Sequence, residues 1–308
     1  MDLSVFTQQF FNALSLGAIY ALIALGYTMV YGIIELINFA HGDVFMVGTF
    51  TAMWLLTVPL SQTGTVRDPV MLAGLLIVVF AITMTFMGFV GMGIERFAYR
   101  PLRNAPRLAP LLTAIGVSFI LQNIIQTIFG PSPRRTPKIF PTDIRFDLFG
   151  ASISLLSIFI FVLTLVLIIG LQTFIGRTRL GRAMRSTAQD RQAAQLMGVN
   201  INRTIALTFF IGSALAGAGG VVYGIYFGQI GFTLGFGAGL KAFTAAVLGG
   251  IGNTTGAALG GFIIGFVEVY SAQFGLFRWS EAIVFGVLIV VLVFRPSGLL
   301  GQPLGERA

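Results

Sequence analysis

Residues 69–94 read PVMLAGLLIVVFAITMTFMGFVGMGI, without one charged side chain. The run is longer than the roughly 20 apolar residues that carry a helix across the hydrocarbon of a bilayer. Comparable uncharged runs fill 3–34, 108–133, 148–176 and 204–240, so the same reading extends over most of the chain. With 56% hydrophobic residues, 10% charged residues and a mean hydropathy of +0.90 over 308 residues, the polar complement is too small to cover a water-soluble domain. A β-barrel would show segments of about ten residues alternating apolar and polar positions. No such dyad pattern is present.

The net charge of +8 comes from 17 arginines and 2 lysines against 11 acids. In a soluble protein that balance would suggest nucleic acid, but here the positions matter more than the total. Arg96, Arg100, Arg103 and Arg107 share one hydrophilic gap, and Arg177, Arg179, Arg182, Arg185, Arg191 and Arg203 share another. The positive-inside rule places both gaps in the cytoplasm and leaves no role for nucleic acid. The chain has no cysteine and the single histidine His41, which excludes disulfides, thiol metal sites and a zinc cluster. The first apolar run lacks a basic leader and exceeds a signal-peptide core, so it reads as a retained span of a chain beginning near Met1.

Helical spans are expected at 8–32, 44–58, 70–94, 109–129, 152–175, 204–227, 241–270 and 280–294. The fold class is therefore all-α, a polytopic transmembrane bundle of about eight membrane segments in one domain, 1–308. Its long cytoplasmic loop is 176–203, and its external loop is 130–150. Four prolines in the latter, Pro131, Pro133, Pro137 and Pro141, block regular helix there. Two places break the pattern of clean spans. Asn38-Phe-Ala-His-Gly-Asp43 interrupts the first half, and Gly249-Gly-Ile-Gly-Asn-Thr-Thr-Gly256 the second. Backbone freed by such breaks must be buried in protein or line a wet cavity. Corresponding breaks in two halves point to a transport pathway with inverted pseudo-symmetry. Either break would also suit a re-entrant segment, so the sides of the two termini stay open.

The most informative loop is 181–200, GRAMRSTAQDRQAAQLMGVN. Thr187 followed by Asp190 fits a capping-box start, and Gly198 fits a left-handed stop, bracketing a helix of about ten residues. Ala193, Leu196 and Met197 make an apolar strip on it, while Arg191, Gln192 and Gln195 face elsewhere. Such a helix either lies in a groove of a partner protein or rests on the bilayer with its arginines at lipid phosphates.

Gln192-Ala-Ala-Gln-Leu-Met-Gly198 resembles the coupling motif of ABC importer permeases, a Glu-Ala-Ala triplet with glycine four positions after its last alanine. Gln192 stands where that motif has Glu, a neutral side chain that can hydrogen-bond but cannot make an ion pair of the acid's kind. Asn38 to Asp43, Gly181 to Asn200, Thr208-Phe-Phe-Ile-Gly-Ser-Ala-Leu-Ala-Gly217 and Lys241-Ala-Phe-Thr-Ala-Ala-Val-Leu-Gly-Gly-Ile-Gly252 together resemble LivH-type permeases of branched-chain amino acid ABC transporters. The resemblance covers essentially the whole chain. It implies a multi-pass protein of the bacterial inner membrane, paired with a second, LivM-type permease, two cytoplasmic ATPase subunits and a periplasmic substrate-binding protein. ATP and magnesium would be used by the ATPase subunits, and this chain would carry no cofactor and no catalytic residue. ATPase coupling would fall to Thr187, Asp190, Gln192, Ala193, Ala194, Met197 and Gly198. The residues themselves agree that ATP is hydrolysed elsewhere, since a phosphate loop ends in Gly-Lys-Ser/Thr and neither Lys138 nor Lys241 follows a glycine.

Candidates for the pathway or its helix breaks are Asn38, His41, Gly42, Asp43, Lys241, Gly249, Gly250, Gly252 and Glu268. A charge at mid-bilayer costs about 2.5 to 3.5 kcal/mol on insertion scales, so these ionisable groups should face protein or water. The alternative is structural: Asp43 capping a helix from Val44, Lys241 opening the next one, Glu35 at the interface and His41 held by a hydrogen bond. Gly212, Ala216, Gly220 and Gly224 recur every four positions, as close helix packing requires. Trp54 and Trp279 are expected at the membrane interfaces. An ion-coupled secondary transporter is the competing reading and would need Asp43 or Glu268 as its carboxylate. Urea or short amides are competing cargoes for an importer of the same build.

Overall fold

The computed structural model describes residues 3–36, 38–103, 105–106 and 108–301; Met1 and Arg107 lie outside them. Among the described residues seven helices are long and apolar enough to cross a membrane, and the chain is a polytopic helical bundle. The α-helices in chain order, shorter ones included, are α1 (Leu3–Ile34), α2 (His41–Thr57), α3 (Pro69–Ile94), α4 (Leu108–Phe129), α5 (Leu155–Arg177), α6 (Arg179–Gln189), α7 (Arg191–Leu196), α8 (Ile201–Phe227), α9 (Leu234–Gly249), α10 (Thr254–Gln273) and α11 (Ser280–Phe294). α3 runs on through a π-helical turn, Glu95–Tyr99, into Arg100–Leu102. Polar caps set many of the starts. Asp68 accepts the Val70 amide ahead of Pro69, Ser154 that of Ser157, and Asn200 that of Arg203.

The span expected at 241–270 is two helices. α9 stops at Gly249, Gly250 and Gly252 turn the chain at φ +104° and +92°, and Asn253 caps α10 by accepting the Gly256 amide. The glycine-rich break is thus a tight hairpin turn between antiparallel helices. α2 begins at His41, three residues before the expected Val44, and Asp43 lies inside its first turn instead of capping it. The 130–150 segment carries β1 (Arg134–Arg135), which pairs with β4 (Gln229–Ile230), and β2 (Arg145–Leu148), which pairs with β3 (Ala151–Ser154). Ile139 and Phe140 are buried under it.

α1 and α8 form the centre of the bundle. In hydrocarbon there is no hydrophobic drive to bring helices together, so close packing has to do it. The α8 stripe supplies that. A methyl added at Gly212 would lie 3.1 Å from the Gly26 carbonyl oxygen of α1, and one at Gly220 2.7 Å from the Phe45 carbonyl oxygen of α2. On α1, a methyl at Gly17 would meet the Phe262 Cα of α10 at 2.8 Å. Outward faces of α3, α4, α5 and α11 instead expose Ile77, Leu112, Val166 and Val293.

The helices repeat in inverted order. α1 is followed by the short α2, and α8, running the opposite way, by the short α9. α10 packs on α1 as α3 packs on α8. The N-terminal ends of α2 and α9 meet in the middle, where Gly42 touches Gly235 and Gly239. The Gly250–Asn253 turn reaches the same end of the bundle as the arginine-rich loops, because Gly252 lies beside Gly32 near the end of α1.

Candidate functional site

At the arginine-rich end, Thr178 starts α6 by accepting the Gly181 amide at 3.0 Å. Thr187 is not a helix start. It is buried within α6, and its hydroxyl donates to the Ala183 carbonyl at 2.7 Å. Asp190 leaves helical conformation and caps α7, its Oδ1 accepting the amides of Gln192 (2.8 Å) and Ala193 (3.0 Å). The expected ten-residue helix is therefore shorter, six residues, because two caps divide the stretch. Gly198 has φ +83° and donates to the Gln195 carbonyl at 3.0 Å, the left-handed stop that glycine allows.

Ala194 turns inward and is buried, whereas Ala193 and Gln192 are exposed, Leu196 is 89% exposed and Met197 is 85% exposed. An apolar patch thus projects from a capped turn. Arg191 donates to the Ile33 carbonyl at 3.0 Å and ties α7 to the end of α1. Beside it a cavity of about 640 Å³ is lined by Arg100, Arg103, Arg191, Gln192, Gln195 and Asn202 among others. Its floor rests on Glu95, which is fully buried and pairs with Arg100 at 2.8 Å and with Arg103. Arg103 also donates to Asn202 at 2.5 Å. Glu95 lies outside the candidates named from the sequence, where its only signal is an acid opening an arginine-rich gap.

The remaining candidates fall into three places. Asn38 accepts the Tyr99 hydroxyl at 3.0 Å and braces the break before α2. His41 is fully buried with its ring 4.6 Å from that of Tyr27. The backbone of Ile23 is the hydrogen-bonding group that approaches its ring. The imidazole packs against Gly26 and Tyr27. Asp43 is buried and accepts from the Ser118 hydroxyl and from Gln122 at 3.0 Å, both on α4, and it abuts Gly235 of α9.

Lys241 is the eighth residue of α9 and does not open it. Its Nζ lies 2.6 Å from Glu268 of α10, whose other oxygen accepts the Tyr20 hydroxyl at 2.7 Å. Gly249, Gly250 and Gly252 stand apart, at the arginine-rich end. The end of α9 is satisfied there by the chain after α11: Leu299 donates to Leu248 at 2.9 Å, Leu300 to Gly249 at 3.0 Å, and Asn253 to Leu300 at 2.7 Å. Glu35 is exposed with φ +56° just past α1, and Trp54 and Trp279 are also exposed. Among the described residues no three His, Asp or Glu side chains gather as a metal would require.

Between α4 and α9 a second cavity, of about 490 Å³, lies beside the meeting point of α2 and α9.

Residues 9–293 match the model of the family described as branched-chain amino acid transport system, permease component. The chain is 45% identical over 305 residues to the high-affinity branched-chain amino acid transport system permease protein BraD of Pseudomonas aeruginosa, covering 98% of each chain. It is 42% identical over 305 residues to LivH of Escherichia coli, a permease protein of the same description, covering 98% of this chain and 97% of that one. A more distant similarity, 34% over 152 residues, links 47% of this chain to 44% of the autoinducer 2 import system permease protein LsrC of Klebsiella pneumoniae. No solved structure matches the chain.

Proposed function

Because the chain belongs to the family of branched-chain amino acid transport permeases, we propose that it forms half of the translocation pathway of an ATP-driven importer of leucine, isoleucine and valine. Its partners are a second related permease, two ATPase subunits that bind ATP and magnesium, and a substrate-binding protein that delivers the cargo from the periplasm. The bilayer is the bacterial inner membrane, with the arginine-rich end in the cytoplasm.

One observation carries the coupling role. Leu196 and Met197 are held almost fully exposed on a helix with a cap at each end, which is costly in water unless a partner covers them. The apolar face fits a groove of the ATPase, and the basic cavity beside it fits acidic side chains at the rim. Movement of the ATPase pair then pushes on α6 and α7. α7 transmits it to α1 through Arg191 and to α8 through the Gly198 to Asn200 connection. α1 and α8 are the central helices against which the short α2 and α9 rest, so a shift there repacks the middle of the bundle.

Ala193→Arg or Gly198→Pro should lower leucine uptake by reconstituted importer about tenfold while ATP hydrolysis and membrane insertion persist. Full uptake by both variants refutes the docking role. Uptake without ATPase subunits, driven by an ion gradient, would instead favour a secondary transporter. That reading has lost one of its carboxylates, since Glu268 is already neutralised by Lys241.

A further inference from the structure

α4 meets the bundle along one face. Its buried residues Ala114, Ser118 and Ile125 share the side turned toward α2. At 3.6 residues per turn, the side directly opposite carries Leu112, Gly116, Ile120, Asn123 and Thr127, and all of them are exposed. On a helix that runs through hydrocarbon, a face that met lipid should be apolar throughout. α5 and α11 follow that rule, with Val162, Val166 and Ile169 outward on the one and Ile289, Val290 and Val293 on the other.

α4 breaks the rule at Asn123, which lies about 9 Å of helix inside the Phe129 end. Among the described residues its side chain makes one hydrogen bond, from Nδ2 to the Phe119 carbonyl of its own helix at 2.8 Å. The carboxamide oxygen is left for a donor on another chain, and lipid tails supply none. Gly116 turns the same way. A methyl added there would have nothing within 4 Å, so its small size relieves no crowding inside this chain, whereas it would let a second helix come close. The cavity between α4 and α9 opens beside this face. Ile115 and Phe119 of α4 line it together with Phe236 and Leu240 of α9, and Phe236 is 67% exposed. A helix seated along Gly116 and Asn123 would cover that opening.

We propose that this face of α4 is the seat of the second permease, whose packing closes the α4–α9 cavity into a passage between the two subunits. A donor on the partner's helix meets the Asn123 oxygen, and its backbone comes nearest at Gly116. The assignment rests on the reading of the chain as half of a pathway, and it fixes the side on which the other half sits.

Gly116→Phe fills open space in this chain, so its own fold and membrane insertion should be unchanged while the seat is obstructed. The importer subunits are produced together, with different tags on the two permeases, and extracted in detergent. Gly116→Phe should lower the second permease recovered with this chain about fivefold, and Asn123→Leu about threefold. On a lipid-facing helix the Asn123→Leu change would be neutral. Val166→Phe on α5 should leave recovery at the parent amount. Benzoylphenylalanine placed at Ile120 should form an ultraviolet-induced adduct with the second permease, whereas at Val166 or Val293 it should not. The proposal is overturned if Ile120 gives no such adduct, or gives one with a second copy of this chain, while leucine uptake is intact. Parent-like recovery of the second permease with Gly116→Phe overturns it equally. Uptake by an importer that contains no second permease would instead overturn the reading of the chain as half of a pathway.

Discussion

Lys241 and Glu268 each incur a large desolvation cost inside a membrane-spanning bundle, and their contact at 2.6 Å, with Tyr20 on the free oxygen, offsets it. Removing one partner is therefore worse than removing both. Lys241→Met should destabilise the purified protein by about 3 kcal/mol, and adding Glu268→Gln should restore most of that, because glutamine still accepts from Tyr20 without needing a cation. Thermal unfolding of the single and double variants in detergent checks this, and additive losses would show that the pair is not coupled. Both residues stood out in the sequence as charges within apolar runs. Their partnership did not, since residues 27 apart meet only when the chain reverses at Gly250–Asn253 and lays α10 along α9. Glu95 shows the same limit: its burial follows from the π-helical turn that swings Arg100 back over it.

A six-residue helix cannot hold itself together in water, where isolated helices shorter than about 12 residues are marginal. α7 persists because Asp190 satisfies two of its open amides and Gly198 closes its other end. An N-cap is worth about 1 kcal/mol, a large share of what so short an element commands. Asp190→Ala should thus lower leucine uptake per ATP hydrolysed while Asp190→Ser, which retains a capping oxygen, stays near the parent; equal ratios for the two variants would mean that the cap does not serve coupling. The element was half legible. Gly198 and the apolar strip could be read from residue type, but Thr187 and Asp190 offered a capping box that the protein does not use. The Thr187 hydroxyl bonds back to the Ala183 carbonyl, as threonine inside a helix can. Burial of Met184 and Thr187 on one side of α6 carries that helix past the rival start.

Across the whole molecule, the number and length of spans follow from composition, whereas their inverted arrangement rests on which glycine meets which backbone. Gly17 against Phe262, Gly48 against Gly217 and Gly42 against Gly235 are contacts that no periodicity reveals. The arrangement fixes sides the sequence left open. α1 and α10 lie antiparallel, with Gln9 bonded to Gln273 at one end and Gly32 beside Gly252 at the other. Ser4 and Phe274 therefore share one side of the membrane, and Arg182 and Leu300 share the opposite one. Because the chain is free of cysteine, single variants Ser4→Cys, Phe274→Cys, Arg182→Cys and Leu300→Cys can each be treated in intact cells with a membrane-impermeant maleimide. The first two should label from outside, and the other two only after the cells are opened. Labelling of Phe274→Cys only in opened cells, with Ser4→Cys labelled in intact ones, would mean that α10 does not cross beside α1. The pairing of α1 with α10, and with it the inverted repeat, would then be wrong, because α9 and α10 could not form the hairpin that brings Lys241 to Glu268.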